Sequence, residues 1–64
     1  MPLVQISLFP GRSAEKKAEM AREITRVLET VGGIRPADTT VIFTEVSPAD
    51  WSVGGEPLGG GAGT

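Results

Sequence analysis

The sequence predicts an α+β chain built as a single βαβ unit with a short C-terminal hairpin. Two observations carry this: an amphipathic helical stretch lies between two β-prone stretches, and glycine or proline punctuates each junction. A third bears on assembly. Sixty-four residues make at most one small domain, and a chain this size buries too little surface to be comfortably stable alone. There is no cysteine and no histidine, so disulfides and the usual structural zinc sites are excluded, and association is the expected source of stability. Residues 1–58 are expected to form the domain and 59–64 a flexible glycine-rich tail.

The first strand is expected over Pro2–Phe9. Val4, Ile6 and Leu8 alternate with Gln5 and Ser7, so their face should be fully buried. The face carrying Leu3, Gln5, Ser7 and Phe9 is mixed and suits a surface shared with another subunit or a site. Pro10-Gly11 ends the strand as a turn. Ser13 is a good helix N-cap, with Glu15 in the first turn where a negative charge suits the dipole. From there Ala14, Ala18, Ala21, Ile24, Val27, Leu28 and Val31 recur every three or four residues as one buried stripe, and Met20 reads as helix packing. Gly32-Gly33 supplies the stop, because glycine adopts the left-handed conformation at little cost.

Pro36 keeps the segment Ile34–Asp38 out of regular helix. The β-branched and aromatic run Thr39–Val46 is the second strand, parallel to the first through a right-handed crossover. Two strands and one helix cannot cover both faces of their own sheet, so neighbouring copies must extend and cover it. Ser47–Asp50 is a turn, and Trp51–Glu56 is a small hairpin about Gly54-Gly55.

Net charge is −2, with acidic and basic residues interleaved. Nothing resembles a basic stripe for nucleic acid. No apolar run approaches the ~20 residues that span a bilayer, and the start lacks the regions of a signal peptide. A soluble cytoplasmic protein is expected, without nucleic-acid or membrane partners.

Without cysteine or histidine there is no cysteine–histidine pair or serine–histidine triad, and no ligand-like spacing of carboxylates suggests a metal site. What remains is the terminal amine, Arg12 and Arg35 outside the helix, and Trp51. Removal of Met1 would turn the ring nitrogen of Pro2 into a free secondary amine, a base with a pKa near or above the ~8 of an ordinary α-amino group. An apolar pocket beside a guanidinium would disfavour its charged form and poise it for proton transfer.

The chain resembles 4-oxalocrotonate tautomerase. The resemblance rests on Pro2 opening a strand, Gly11-Arg12-Ser13 at its end, Val41-Ile42-Phe43-Thr44-Glu45 in the second strand, and Trp51 followed by Gly54-Gly55-Glu56, and it runs without gaps from Pro2 to about Leu58. It implies a cofactor-independent keto–enol tautomerase, an intramolecular oxidoreductase acting on a small anionic unsaturated oxo or hydroxy acid such as 2-hydroxymuconate. It also implies a homo-hexamer arranged as a trimer of dimers. By this resemblance Pro2 is the catalytic base and acid, and Arg12 binds a substrate carboxylate. Trp51 stands where the family has a phenylalanine that keeps the site apolar, and Phe9 offers its backbone N–H.

Thr40 departs from the pattern, since the family has a second arginine there that reaches a neighbouring subunit's site. Losing such a charged contact costs on the order of 2–4 kcal/mol of transition-state stabilisation. Arg35, in the preceding loop, is a candidate substitute in space. Glu45 is expected to pair with a neighbouring chain. Two other readings stay open: a partner subunit in a hetero-oligomeric assembly, and a hydratase or dehalogenase, for which no water-activating carboxylate stands out.

Overall fold

A computed structural model describes residues 1–59. The first strand, β1, is Leu3–Leu8; the helix, α1, is Ala14–Gly32; the second strand, β2, is Thr40–Glu45. β1 and β2 pair in parallel, from Leu3 opposite Thr40 to Leu8 opposite Glu45. Two further strands, β3 (Ser52–Val53) and β4 (Glu56–Pro57), form an antiparallel hairpin. Single 3₁₀ turns at Pro36–Asp38 and Pro48–Asp50 lead into β2 and the hairpin. This is the expected βαβ unit with its C-terminal hairpin. The residues proposed as a tail beyond Gly59 lie outside the described part of the chain.

Local chemistry sets the boundaries of α1. The Ser13 hydroxyl accepts a hydrogen bond from the Lys16 amide at 3.1 Å, satisfying one of the orphan donors of the first turn. At the other end Gly33 takes φ 68°, and its N–H donates to the Glu29 carbonyl. The hairpin turns through Gly54 and Gly55, both at positive φ, which a side chain would oppose. Gly59 is lodged against the second 3₁₀ turn: its N–H donates to the Pro48 carbonyl, and a Cβ at residue 59 would collide with that of Pro48.

Packing departs from the expectation in an informative way. Val4, Ile6 and Leu8, expected fully buried, are only half-buried, and none of the described residues is fully buried. One helix over a two-stranded ribbon cannot close around a core. Val4, Ile6, Val41 and Phe43 form the more covered sheet face, against Met20, Ala21, Ile24 and Leu28 of α1. Val27 and Val31 of the expected helix stripe stay exposed, as do Ala14 and Ala18, while Met20 and Lys17 turn inward. The ribbon is too narrow to reach the helix flank where the two valines sit. On the opposite sheet face Leu3 and Ile42 remain exposed between polar neighbours.

Glu45, expected to pair across a subunit boundary, is instead held within the chain: Lys17 Nζ donates to its Oε2 at 2.8 Å. The parallel register puts Glu45 opposite Leu8 on the helix side of the sheet, directly under the first turns of α1. Among the described residues no helix is long and apolar enough to cross a membrane.

Candidate active site

The topology sorts the chemistry-bearing residues to the two ends of the sheet. At the leading end Pro2 precedes β1, half-buried, and its carbonyl accepts a hydrogen bond from the Thr40 amide at 3.0 Å. Thr40 opens β2 in register with Leu3, and both side chains are exposed. Arg35 lies at this end too, because α1 returns the chain there. Its guanidinium is engaged: Nε donates to Asp38 Oδ2 at 3.1 Å and Nη2 to Oδ1 at 3.3 Å, closing a two-pronged pair across Pro36. Arg35 can therefore contact a ligand only by giving up Asp38 or sharing with it.

The trailing end carries the remaining candidates. Phe9 directly follows β1, and its ring meets that of Trp51 edge-on, with centroids 4.8 Å apart at 69°. Arg12 stands one residue before the α1 N-cap and makes no ion pair among the described residues. It heads an open groove of about 710 Å³ along the helix flank, lined also by Lys16, Glu19, Met20, Glu23 and Ile24. Pro2 does not line that groove.

One chain therefore does not bring Pro2 and Arg12 together. The six residues of β1 span about 20 Å at ~3.3 Å per residue, farther than an arginine side chain reaches. Phe9 and Trp51 share the end of Arg12; Thr40 and Arg35 share the end of Pro2. Strand length alone fixes this separation, and it was the signal in the sequence that bears on how many chains a site would need.

Comparison with known proteins accords with this architecture. The family model described as tautomerase enzyme matches residues 2–60, so the chain belongs to the tautomerase family. A Ralstonia nicotianae protein named as a probable tautomerase is 38% identical over 64 residues, covering 100% of this chain and 98% of that protein. A heterohexamer 4-oxalocrotonate tautomerase from Chloroflexus aurantiacus has a similar structure, with a TM-score of 0.81 at 36% identity over 91% of this chain and 94% of the other. TomN, a 4-oxalocrotonate tautomerase homologue of the tomaymycin biosynthetic pathway, gives a TM-score of 0.85 at 27% identity, over 98% of this chain and 97% of that one.

Proposed function

We propose that the chain is a cofactor-independent keto–enol tautomerase whose base and acid is the Pro2 amine, freed by removal of Met1. The substrate is a small unsaturated hydroxy or oxo acid of the 2-hydroxymuconate type. The observation that carries the reading is the division of the sheet, with Pro2 at one end and, at the other, the Phe9–Trp51 pair and Arg12, which makes no ion pair among the described residues. A working site is then composite: the leading end of one copy meets the trailing end of another. The incomplete burial of every element favours such an assembly, for which a trimer of dimers is the proposed form.

In that site Arg12 of one copy binds the substrate carboxylate while Pro2 of another takes the hydroxyl proton. The O–H bond breaks, C2–O becomes a carbonyl, the diene shifts by one bond, and the same amine returns the proton to carbon. Nearby positive charge and apolar walls disfavour protonated Pro2 and so keep its nitrogen available. The guanidinium also stabilises the enolate as charge develops. The edge-on aromatic pair excludes water from one wall, which strengthens both effects.

The deciding experiment follows ketonisation of 2-hydroxymuconate by absorbance, with intact mass establishing which molecules have lost Met1. Pro2→Ala replaces the secondary amine by a primary one. Retention of Met1 converts the Pro2 nitrogen to an amide with no basic lone pair. Each change should reduce kcat/KM by about 10²–10⁴, the usual contribution of a positioned base. Wild-type turnover by Pro2→Ala protein would refute the reading.

A second reading is favoured by Thr40, where a guanidinium would otherwise stand, and by the engagement of Arg35 with Asp38. Here the chain is one type of subunit in a hetero-oligomer whose other chain supplies the missing cation. Native mass spectrometry separates the two: an active assembly of this chain alone excludes the second.

A further inference from the structure

We propose that Lys17 and Glu45 are positioning residues for Arg12: their ion pair clasps the base of the loop that carries this guanidinium and so sets how well it meets a carboxylate. The inference rests on the tautomerase reading above, which gives Arg12 the substrate carboxylate, and it adds to that site two residues that touch no substrate.

The connectivity around the loop carries it. Every residue from Phe9 to Lys16 is exposed, so packing holds this segment only where the Phe9 ring meets Trp51. Bonds at its two ends do the rest. On the strand side the Leu8 carbonyl accepts from the Val46 N–H at 2.8 Å. On the helix side the Ser13 carbonyl accepts from the Lys17 N–H at 3.1 Å, and Lys17 Nζ donates to Glu45 Oε2 at 2.8 Å. Both ends of the loop thus lead to adjacent residues, Glu45 and Val46, where β2 runs out. Among the described residues the Lys17–Glu45 contact is the only side-chain hydrogen bond that joins α1 to the sheet.

The two side chains keep 26% and 41% of their surface, so the pair adds little to global stability. A contact biases a conformational equilibrium by no more than its own energy, so its effect on the loop is several-fold and no larger. Without the clasp the first turn of α1 shifts against β2, and Arg12 spends part of its time out of reach. Apparent affinity for the carboxylate then falls in proportion to the competent fraction. Substrate once bound reacts as before, so KM rises while kcat holds. A merely structural pair behaves in the opposite way: its loss depletes assembled protein, which lowers kcat and leaves KM alone.

Two variants break the clasp with little change of shape. Glu45→Gln removes the charge; Lys17→Met keeps the apolar stem and removes the ammonium. With Met1-processed protein, each should raise KM for 2-hydroxymuconate by about three- to fivefold, the limit for a pair in contact with solvent, with kcat within about twofold of wild type. Exchanging the partners, Lys17→Glu with Glu45→Lys, should bring KM back toward the wild-type value. In an Arg12→Ala background Glu45→Gln should change KM by less than about twofold, because the group it positions is gone. If the exchanged protein does not assemble in sedimentation, the Arg12→Ala background decides.

Unchanged KM in both single variants overturns the proposal. So does a fall in kcat at constant KM, or a Glu45→Gln effect that persists in full without Arg12. Each of these results leaves the tautomerase reading standing. Wild-type protein that does not ketonise 2-hydroxymuconate removes that reading, and the positioning role with it.

Discussion

Ile42 tests the claim that this chain is stable only when its open sheet face is covered. It sits in the middle of β2, in register with Gln5, and retains 41% of its accessible surface. Fully burying an isoleucine is worth roughly 1.5–3 kcal/mol, so covering the remainder contributes about 1 kcal/mol per copy. Leu3, on the same ribbon with 54% exposed, offers a similar gain. Replacing Ile42 by aspartate removes that gain and leaves a carboxylate to be desolvated, a penalty of several kcal/mol per ion. Each copy in an assembly bears the cost. Ile42→Asp should therefore shift association by at least ~10²-fold, at 1.4 kcal/mol per decade.

Sedimentation velocity, with circular-dichroism melts at two protein concentrations tenfold apart, reads the effect. The wild type should sediment as an oligomer and melt at a temperature that rises with concentration, as coupled folding and association require. Ile42→Asp protein should sediment as monomer and show little secondary structure. The reasoning fails if the variant assembles and melts like the wild type. It also fails if dilute wild-type monomer keeps a concentration-independent melt, because a chain with no fully buried residue among those described would then be stabilising itself.

Two smaller predictions concern the helix. Ser13→Ala should destabilise the fold by about 1 kcal/mol, the usual cost of losing an N-cap, read as a lower midpoint in urea with unchanged m. Lys17 and Glu45 should show a coupling energy of at most about 1 kcal/mol in a double-mutant cycle, weakening as salt rises, because both side chains retain solvent contact.

Much of this fold can be read from periodicity and punctuation. Alternation over β1, the Ser13 cap, the Gly32-Gly33 stop and the turn at Gly54-Gly55 each have a local cause, and each falls within a residue or so of its expected place. What could not be read locally depends on how elements meet. Helix periodicity puts Val27 and Val31 on an apolar stripe, but only the ribbon's width decides that they remain uncovered. Glu45 finds Lys17 because the register of β2 and the path of α1 coincide, and neither is written in a short window. Arg35 and Asp38 are three residues apart across a proline turn, so their pairing was open to local inspection. The proposed site is the hardest part. Pro2, Arg12 and Trp51 stand out by chemistry, yet six strand residues hold Pro2 apart from the other two within one chain.

The seating of Gly59 against Pro48 has a practical consequence for anyone preparing the protein. The backbone leaves the described structure from the aromatic end of the sheet, whereas a leader fused ahead of Met1 would sit beside Pro2. An affinity handle upstream acylates the nitrogen to which the proposed mechanism assigns the proton transfer, so on that proposal it would yield inert protein for a trivial reason. One appended downstream spares that nitrogen, and a cleaved control belongs in the same purification, because Leu58 and Gly59 are bonded to the backbone of Trp51 and Pro48.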